Sequence, residues 1–238
     1  MNAPPWRKGR IVRIEKEAHE THRFWICIPE LDKFEFIPGQ HITLELPISD
    51  KNSKRLSFSI ASWPDGSNIF ELIIVHNKNE AATNYLFNDL KTGDEIKVKG
   101  PQGRFTMPAV LDKELFFICT GTGIAPFRSM LHYIIRNNKP HKNIYLISGT
   151  RTSEHLLYHE EMKSLSEDLP FFHYMPVLSR EEWAGEKGYV HQVYKRLAKS
   201  GQPAYFYLCG WKKMIEEAEK HILDLGYDKK DIHHEMYG

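Results

Sequence analysis

Cysteine is scarce: Cys27, Cys119 and Cys209 are the only ones in 238 residues, and they stand far apart. That spacing excludes a metal-type cluster and a disulfide framework, and no set of them can hold an iron–sulfur cluster within this chain. Net charge is nearly absent too, at +1, so bulk attraction to nucleic acid is excluded as a basis for function. No apolar run reaches the roughly 18 residues that a membrane-spanning helix needs. The segment Met1-Asn2-Ala3-Pro4-Pro5-Trp6-Arg7-Lys8 lacks the apolar stretch of a signal peptide. Repeats and low-complexity tracts are missing as well. A soluble cytoplasmic protein is the expectation. Apolar residues make up 41% of the chain, ample for a packed core, and the length suits one large domain or two modest ones.

The densest information lies in Cys119-Thr120-Gly121-Thr122-Gly123-Ile124-Ala125-Pro126. Before it, Leu115-Phe116-Phe117-Ile118 reads as a buried parallel strand. After it, Phe127 to Ile135 reads as an amphipathic helix with Pro126 near its first position. Glycine on such a strand–loop–helix turn lets backbone approach a pyrophosphate, and the helix N-terminus offers free N–H groups to it. A nucleotide site therefore outweighs a merely tight turn.

Two organisations follow one another along the chain. Residues 1–108 alternate like an all-β domain, with strands at Ile11–Lys16, Phe24–Ile28, His41–Leu46, Leu56–Ala61, Phe70–Val75 and Glu95–Lys99, and one helix from Thr83 to Leu90. This spacing predicts a closed or sandwich-like barrel, expected to be an antiparallel Greek key. Residues 109–238 alternate strand and helix: strands at Leu115–Cys119, Asn143–Ser148, Phe171–Leu178 and Ala204–Leu208, helices at Ser153–Leu165, His191–Lys199 and Lys212–Leu225. That rhythm predicts an α/β doubly wound, five-stranded parallel sheet, whose ligands bind beyond the carboxyl ends of the strands. Those ends carry Gly121 to Gly123, Gly149-Thr150-Arg151, Ser179-Arg180 and Cys209-Gly210.

A barrel followed by a nucleotide domain resembles the ferredoxin–NADP reductase family. The resemblance covers nearly the whole chain and rests on motifs in order: Phe36-Ile37-Pro38-Gly39-Gln40, Phe58-Ser59-Ile60-Ala61-Ser62, Gly100-Pro101-Gln102-Gly103-Arg104-Phe105, Thr120 to Pro126, Leu178-Ser179-Arg180-Glu181, Cys209-Gly210, and the terminal Glu235-Met236-Tyr237. It implies FAD as cofactor and NADP(H) as substrate. Phe58 would lie against the isoalloxazine, and the Ser59 hydroxyl would hydrogen-bond near flavin N5. The family's Arg-x-Tyr-Ser motif would put arginine at position 56, but Leu56 stands there and the arginine is Arg55. On a regular strand that shift turns the side chain to the other face; either a bulge restores it or another group meets the flavin phosphate. Ile74, Val75 and His76 match the segment beside the flavin, with His76 equally readable as a surface histidine. Ala82 and Thr83 open the short helix that takes the flavin pyrophosphate in relatives, Thr83 as its N-cap.

On the nucleotide side, Thr120, Gly121, Thr122 and Gly123 would meet the pyrophosphate. The second strand ends without a carboxylate, and Arg151, with the Ser179-Arg180 pair, suits the 2′-phosphate of NADP; the bland alternative is a pair of solvated arginines bridged to Glu181 or Glu182. Tyr189 would stack on the adenine. Cys209, with Gly210, would shape the pocket at the reacting nicotinamide carbon. Trp211 follows where many relatives have proline. Glu235 would position the nicotinamide and help relay a proton, and Tyr237 would stack over the flavin and move aside for the nicotinamide. Gly238 is an extra residue after this ending. His233 and His234 read as surface or strand residues rather than metal ligands.

The implied activity is hydride transfer from NADPH to flavin, with electrons leaving to ferredoxin or flavodoxin. Alternatives are a flavin reductase, the reductase component of an oxygenase, a non-catalytic electron-transfer subunit of a fixed complex, or a structural protein without cofactor. Arg7, Lys8, Arg10 and Lys54 are candidates to meet an acidic carrier, or else solvated strand-end charges.

Overall fold

A computed structural model describes residues 4–49, 52–198 and 201–237; Lys199 and Gly238 lie outside the described residues. Contacts divide the chain into two compact units, one of Met1–Thr106 with Ala125–Tyr133, the other of Met107–Ile124 with Ile134–Gly238.

In the first unit, strands β1 (Trp6–Ala18), β2 (Thr21–Cys27), β3 (His41–Ser49), β4 (Asn52–Ser59), β5 (Ile69–Val75) and β6 (Glu95–Gln102) form one antiparallel sheet in the order β4-β3-β6-β1-β2-β5. The edges meet where the Ala61 N–H, just past β4, donates to the Glu71 carbonyl on β5 at 2.8 Å. This is the expected barrel. Strict alternation writes its inside: Ile42, Leu44 and Leu46 on β3 are buried, while Thr43 and Glu45 between them face out. The helix expected from Thr83 instead begins at α1 (Ala81–Asn84) and continues as a π-helical turn over Tyr85–Asp89. Its N-cap is Glu80, not Thr83. Thr83 is buried, and its hydroxyl bonds the Asn77 carbonyl at 2.7 Å.

In the second unit, β7 (Glu114–Thr120), β8 (Ile144–Thr150), β9 (Phe172–Leu178), β10 (Glu186–Lys187), β11 (Ala204–Gly210) and β12 (Ile232–Met236) run parallel in the order β10-β9-β8-β7-β11-β12. Five strands were expected, four of them placed in the sequence; β12 and the two-residue β10 lie outside those four. Helices α2 (Ile124–Arg136), α3 (His159–Asp168), α4 (Val190–Leu197) and α5 (Lys212–Asp224) alternate with these strands. Leu115 to Cys119 are all buried, as a parallel strand covered on both faces requires. The helix expected from Ser153 is a single 3₁₀ turn over Ser153–His155, and α3 starts only at His159. Helix α2 is less amphipathic than its sequence suggests: residues 124–131 are all buried, Arg128 among them. Among the described residues, no helix is long and apolar enough to cross a membrane.

Candidate functional site

The glycine loop is a single 3₁₀ turn, Gly121–Gly123, between the carboxyl end of β7 and α2. Gly121 has φ +52°, and a Cβ there would point into open space. Gly123 is constrained in the opposite way, since its Cβ would lie 2.3 Å from the Cys209 carbonyl oxygen. One glycine therefore leaves room for a ligand, and the other lets α2 begin against β11.

Tyr237 closes onto this loop. Its N–H donates to the Gly210 carbonyl at 3.2 Å. Its hydroxyl accepts from the Gly123 N–H at 2.6 Å and donates to the Thr120 carbonyl. Burial pushes the phenol well above its ordinary pKa, so it stays a neutral donor. Thr120 Oγ1 is buried with no hydrogen-bond partner among the described residues. Open space at Gly121, an orphaned hydroxyl at Thr120 and an N–H held only by a phenol together fit a phosphate-bearing ligand.

Cys209 ends β11 beside Cys119 on β7 and Glu235 on β12. Burial first, then the neighbouring Glu235 charge, raises the Cys209 thiol well above its usual range. Burial likewise pushes Cys119 up to about 12. Both are neutral thiols, suited to shaping a pocket and unsuited to nucleophilic attack. Trp211, the next residue after Gly210, is 60% exposed, with its ring 6.2 Å from that of Tyr237.

At the ends of β8 and β9 the backbone brings two arginines together: the Arg180 N–H donates to the Arg151 carbonyl at 2.9 Å, and the Ser179 hydroxyl to the Thr150 carbonyl at 3.2 Å. Both arginine side chains are exposed, and among the described residues neither has an acidic partner. The acids that would neutralise them are occupied. Glu181 accepts from the Ser153 N–H and hydroxyl at 2.7 and 2.9 Å, which lowers its pKa, and Glu182 pairs with Lys187. Tyr189, just before α4, is 68% exposed, an unusual setting for a large ring.

In the barrel, Phe58 pairs with Ile42 and Ser59 with His41 at the end of β4. The register is unbroken from Ser59 back to Ser53, so there is no bulge to turn Arg55 onto the face of Phe58. Leu56 shares that face and packs against the barrel core. Arg55 reaches Glu45 on the other face through Nε and Nη2, both at 3.0 Å, and lies over the Trp6 ring at 5.1 Å. Lys97 and then Arg55 hold the Glu45 carboxyl below its ordinary value. Ile74 is buried, and Val75 beside it is 48% exposed, an apolar edge that a ring system would cover. The His76 ring stacks on Phe87 at 4.5 Å and bonds Asn84 through Nε2 at 2.8 Å. Ala82 is buried next to Thr83.

Of the remaining sequence candidates, His233 stacks on Tyr207 and His234 pairs with Glu219, both on β12. Arg7 pairs with Glu30, Lys8 and Arg10 with Glu95, and Lys54 with Glu80. Sequence reasoning included Thr120 only as part of the glycine loop, not for its orphaned hydroxyl, and passed over Arg128, buried on α2 against Glu71. Neither carries a motif of its own beyond the glycine loop.

Known proteins resemble this chain over most of its length. The "Oxidoreductase FAD-binding domain" profile matches residues 8–107, and the "Oxidoreductase NAD-binding domain" profile matches 117–220. Ferredoxin–NADP reductase B of Sorangium cellulosum is 33% identical over 213 residues, which is 86% of either chain. The phenol hydroxylase P5 protein of Acinetobacter pittii is 32% identical over 216 residues, 87% of this chain but only 60% of that protein. A ferredoxin NADP+ reductase from Neisseria gonorrhoeae, solved with bound FAD and NADP, superposes with a TM-score of 0.84 at 22% identity, covering 97% of this chain and 98% of that one.

Proposed function

Because this chain belongs to the ferredoxin–NADP reductase family of FAD-dependent oxidoreductases, we propose that it moves electrons between NADPH and a one-electron carrier, ferredoxin or flavodoxin. FAD, when bound, accepts hydride at N5 and can release electrons one at a time, which joins a two-electron donor to a one-electron acceptor.

The chain's own residues bind and orient. N–H groups of Gly121, Thr122 and Gly123 receive the pyrophosphate of NADPH, and Tyr237 gives up the Gly123 N–H as it enters. Arg151 and Arg180 grip the 2′-phosphate with the Ser179 hydroxyl, and Tyr189 stacks on the adenine. Cys209 and Gly210 shape the nicotinamide pocket, and Glu235 orients the nicotinamide and holds a proton at its carboxylate. In the barrel, Phe58 lies against the isoalloxazine, Ser59 offers its hydroxyl toward N5, and Ile74, Val75 and His76 run alongside. Main-chain N–H groups at Ala82 and Thr83 face the flavin pyrophosphate. Arg55, committed to Glu45, leaves the flavin phosphate to other groups.

One observation carries the choice of NADPH over NADH: two exposed arginines, side by side at adjacent strand ends, with their acidic neighbours engaged elsewhere. The similarity to the phenol hydroxylase protein favours a second reading, the reductase component of an oxygenase. The deciding experiment is anaerobic NADPH-driven cytochrome c reduction by FAD-loaded protein, with and without a small ferredoxin, and with NADH alongside. Strong stimulation by ferredoxin and preference for NADPH are expected. Turnover indifferent to ferredoxin and flavodoxin would turn the assignment to an oxygenase partner.

A further inference from the structure

Arg128 is a charge buried within the first unit, only 5% exposed, and its partner Glu71 is 3% exposed. Its Nη1 donates to the Ala61 carbonyl at 3.0 Å and to Glu71 Oε2 at 3.1 Å. Glu71 also receives Arg23, from Nε to Oε1 at 2.6 Å and from Nη2 to Oε2 at 3.2 Å, and Arg23 pairs in turn with Glu17 at 3.5 Å. The chain Glu17–Arg23–Glu71–Arg128 is thus charge-neutral.

Three groups of Glu71 serve the segment that follows Ser59. Its carbonyl accepts from the Ala61 N–H at 2.8 Å, its N–H donates to the Ser62 hydroxyl at 2.9 Å, and its carboxylate anchors Arg128, which grips the Ala61 carbonyl. Gln40 holds the same stretch from the other direction, its carbonyl accepting from the Ile60 N–H at 3.0 Å. Residues 60–62 are therefore fixed at four atoms, and one of these pins, Arg128 on the Ala61 carbonyl, comes from α2. A buried ion network contributes little net stability over an apolar core of the same shape, because desolvation offsets the attraction. What it does contribute is direction: Arg128 Nη1 meets the Ala61 carbonyl and the Glu71 carboxylate together.

We propose that Arg128 is a positioning residue for the flavin, holding Ala61 so that Phe58 and Ser59, three and two residues upstream, keep one placement against the ring. The inference rests on the flavin reading of that segment. Its test compares full-length R128K, the charge-balanced pair R128M/E71Q, and S59A as a control on the reading itself. FAD affinity is followed by quenching of flavin fluorescence, the environment of the bound ring by visible circular dichroism, and folding by thermal unfolding of the apoprotein. R128K keeps the cation but is too short to serve both oxygens. It is expected to fold, to bind FAD about tenfold more weakly, and to change the visible dichroism, as the loss of one charge-assisted hydrogen bond would. The balanced pair should show the same change without an orphaned charge. FAD affinity within twofold of the parent and an unaltered dichroic spectrum in the folded variants overturn the proposal. Failure of both variants to fold also overturns it, since Arg128 would then serve folding alone. If S59A leaves the dichroism unchanged, the flavin reading of the segment fails instead.

Discussion

Arg151 and Arg180 are the residues on which coenzyme preference turns. Replacing Arg180 with glutamine removes one charge-assisted contact to a phosphate, a loss of about 1.5–3 kcal/mol or roughly 10- to 100-fold. The expected result is a KM for NADPH raised by that factor while the KM for NADH moves less than about twofold; equal effects on both would separate Arg180 from the 2′-phosphate. Tyr237 predicts the reverse sign. Tyr237→Phe deletes only the hydroxyl that occupies the Gly123 N–H and Thr120 carbonyl. The KM for NADPH should fall, because the loop no longer has to release a partner, while thermal stability drops by about 1 kcal/mol. Steady-state kinetics on the two variants side by side checks both signs. At this scale the sequence was partly legible. Glycines, strand-end arginines and the terminal tyrosine announce themselves because their chemistry depends on position in a turn or at a strand end. Arg128 does not: an arginine on a helix normally faces water, and only packing reveals a carboxylate waiting in the interior.

Elements carry the next set of consequences. Helices α4 and α5 are joined by a polar chain: His191 Nδ1 lies 2.9 Å from the Tyr194 hydroxyl, which lies 3.1 Å from His221 Nδ1, while His191 Nε2 faces Glu217 at 3.1 Å. Burial lowers the His191 pKa below its ordinary value of 6.5 despite Glu217 pulling the other way. His22, His221 and His233 shift in the same direction, burial again the largest cause. Each is held neutral in the fold, so below about pH 6.5 the unfolded chain takes up protons first. Stability is therefore full above that pH and lost as the pH falls through the lower, folded values. A thermal unfolding series from pH 7.5 down to pH 5 should show this decline, and His191→Gln should shallow it. Tyr194→Phe strands two imidazole nitrogens and should cost about 1–3 kcal/mol. The strands were the most legible elements, since alternation in β3 and continuous apolar runs in β7 state which faces are covered. Short helices were the least. The expected start at Thr83 lost to a buried threonine hydroxyl that bonds Asn77, and the expected helix from Ser153 lost to Glu181, which captures the Ser153 N–H and hydroxyl into a turn. Glu181 stands 28 residues from Ser153, and Asn77 six residues before Thr83, both outside the three- and four-residue spacings by which a helix start is read.

For the molecule as a whole, FAD binds the native state and not the unfolded chain, so it should raise the unfolding temperature by linkage. At about 100 times its dissociation constant the gain is roughly 2.7 kcal/mol. For a chain of this length that corresponds to about 5–10 °C in a melting experiment, and a shift absent at saturating FAD would deny it a folded site. The order barrel-then-sheet was readable because short strands separated by turns give way, after residue 108, to an alternation of strand and helix. What a linear boundary cannot express is that Ala125–Tyr133, encoded after the glycine loop, packs with the first unit and brings Arg128 to Glu71. That borrowing restricts how the gene can be cut and recombined. A fragment ending at Thr106 carries Glu71 and Arg23 without Arg128, and a chimera joined there takes Glu71 and Arg128 from different parents. Exchange of halves between relatives should therefore yield soluble, coloured protein only when both parents supply matching residues at 71 and 128, which makes two positions far apart in the gene a single heritable unit.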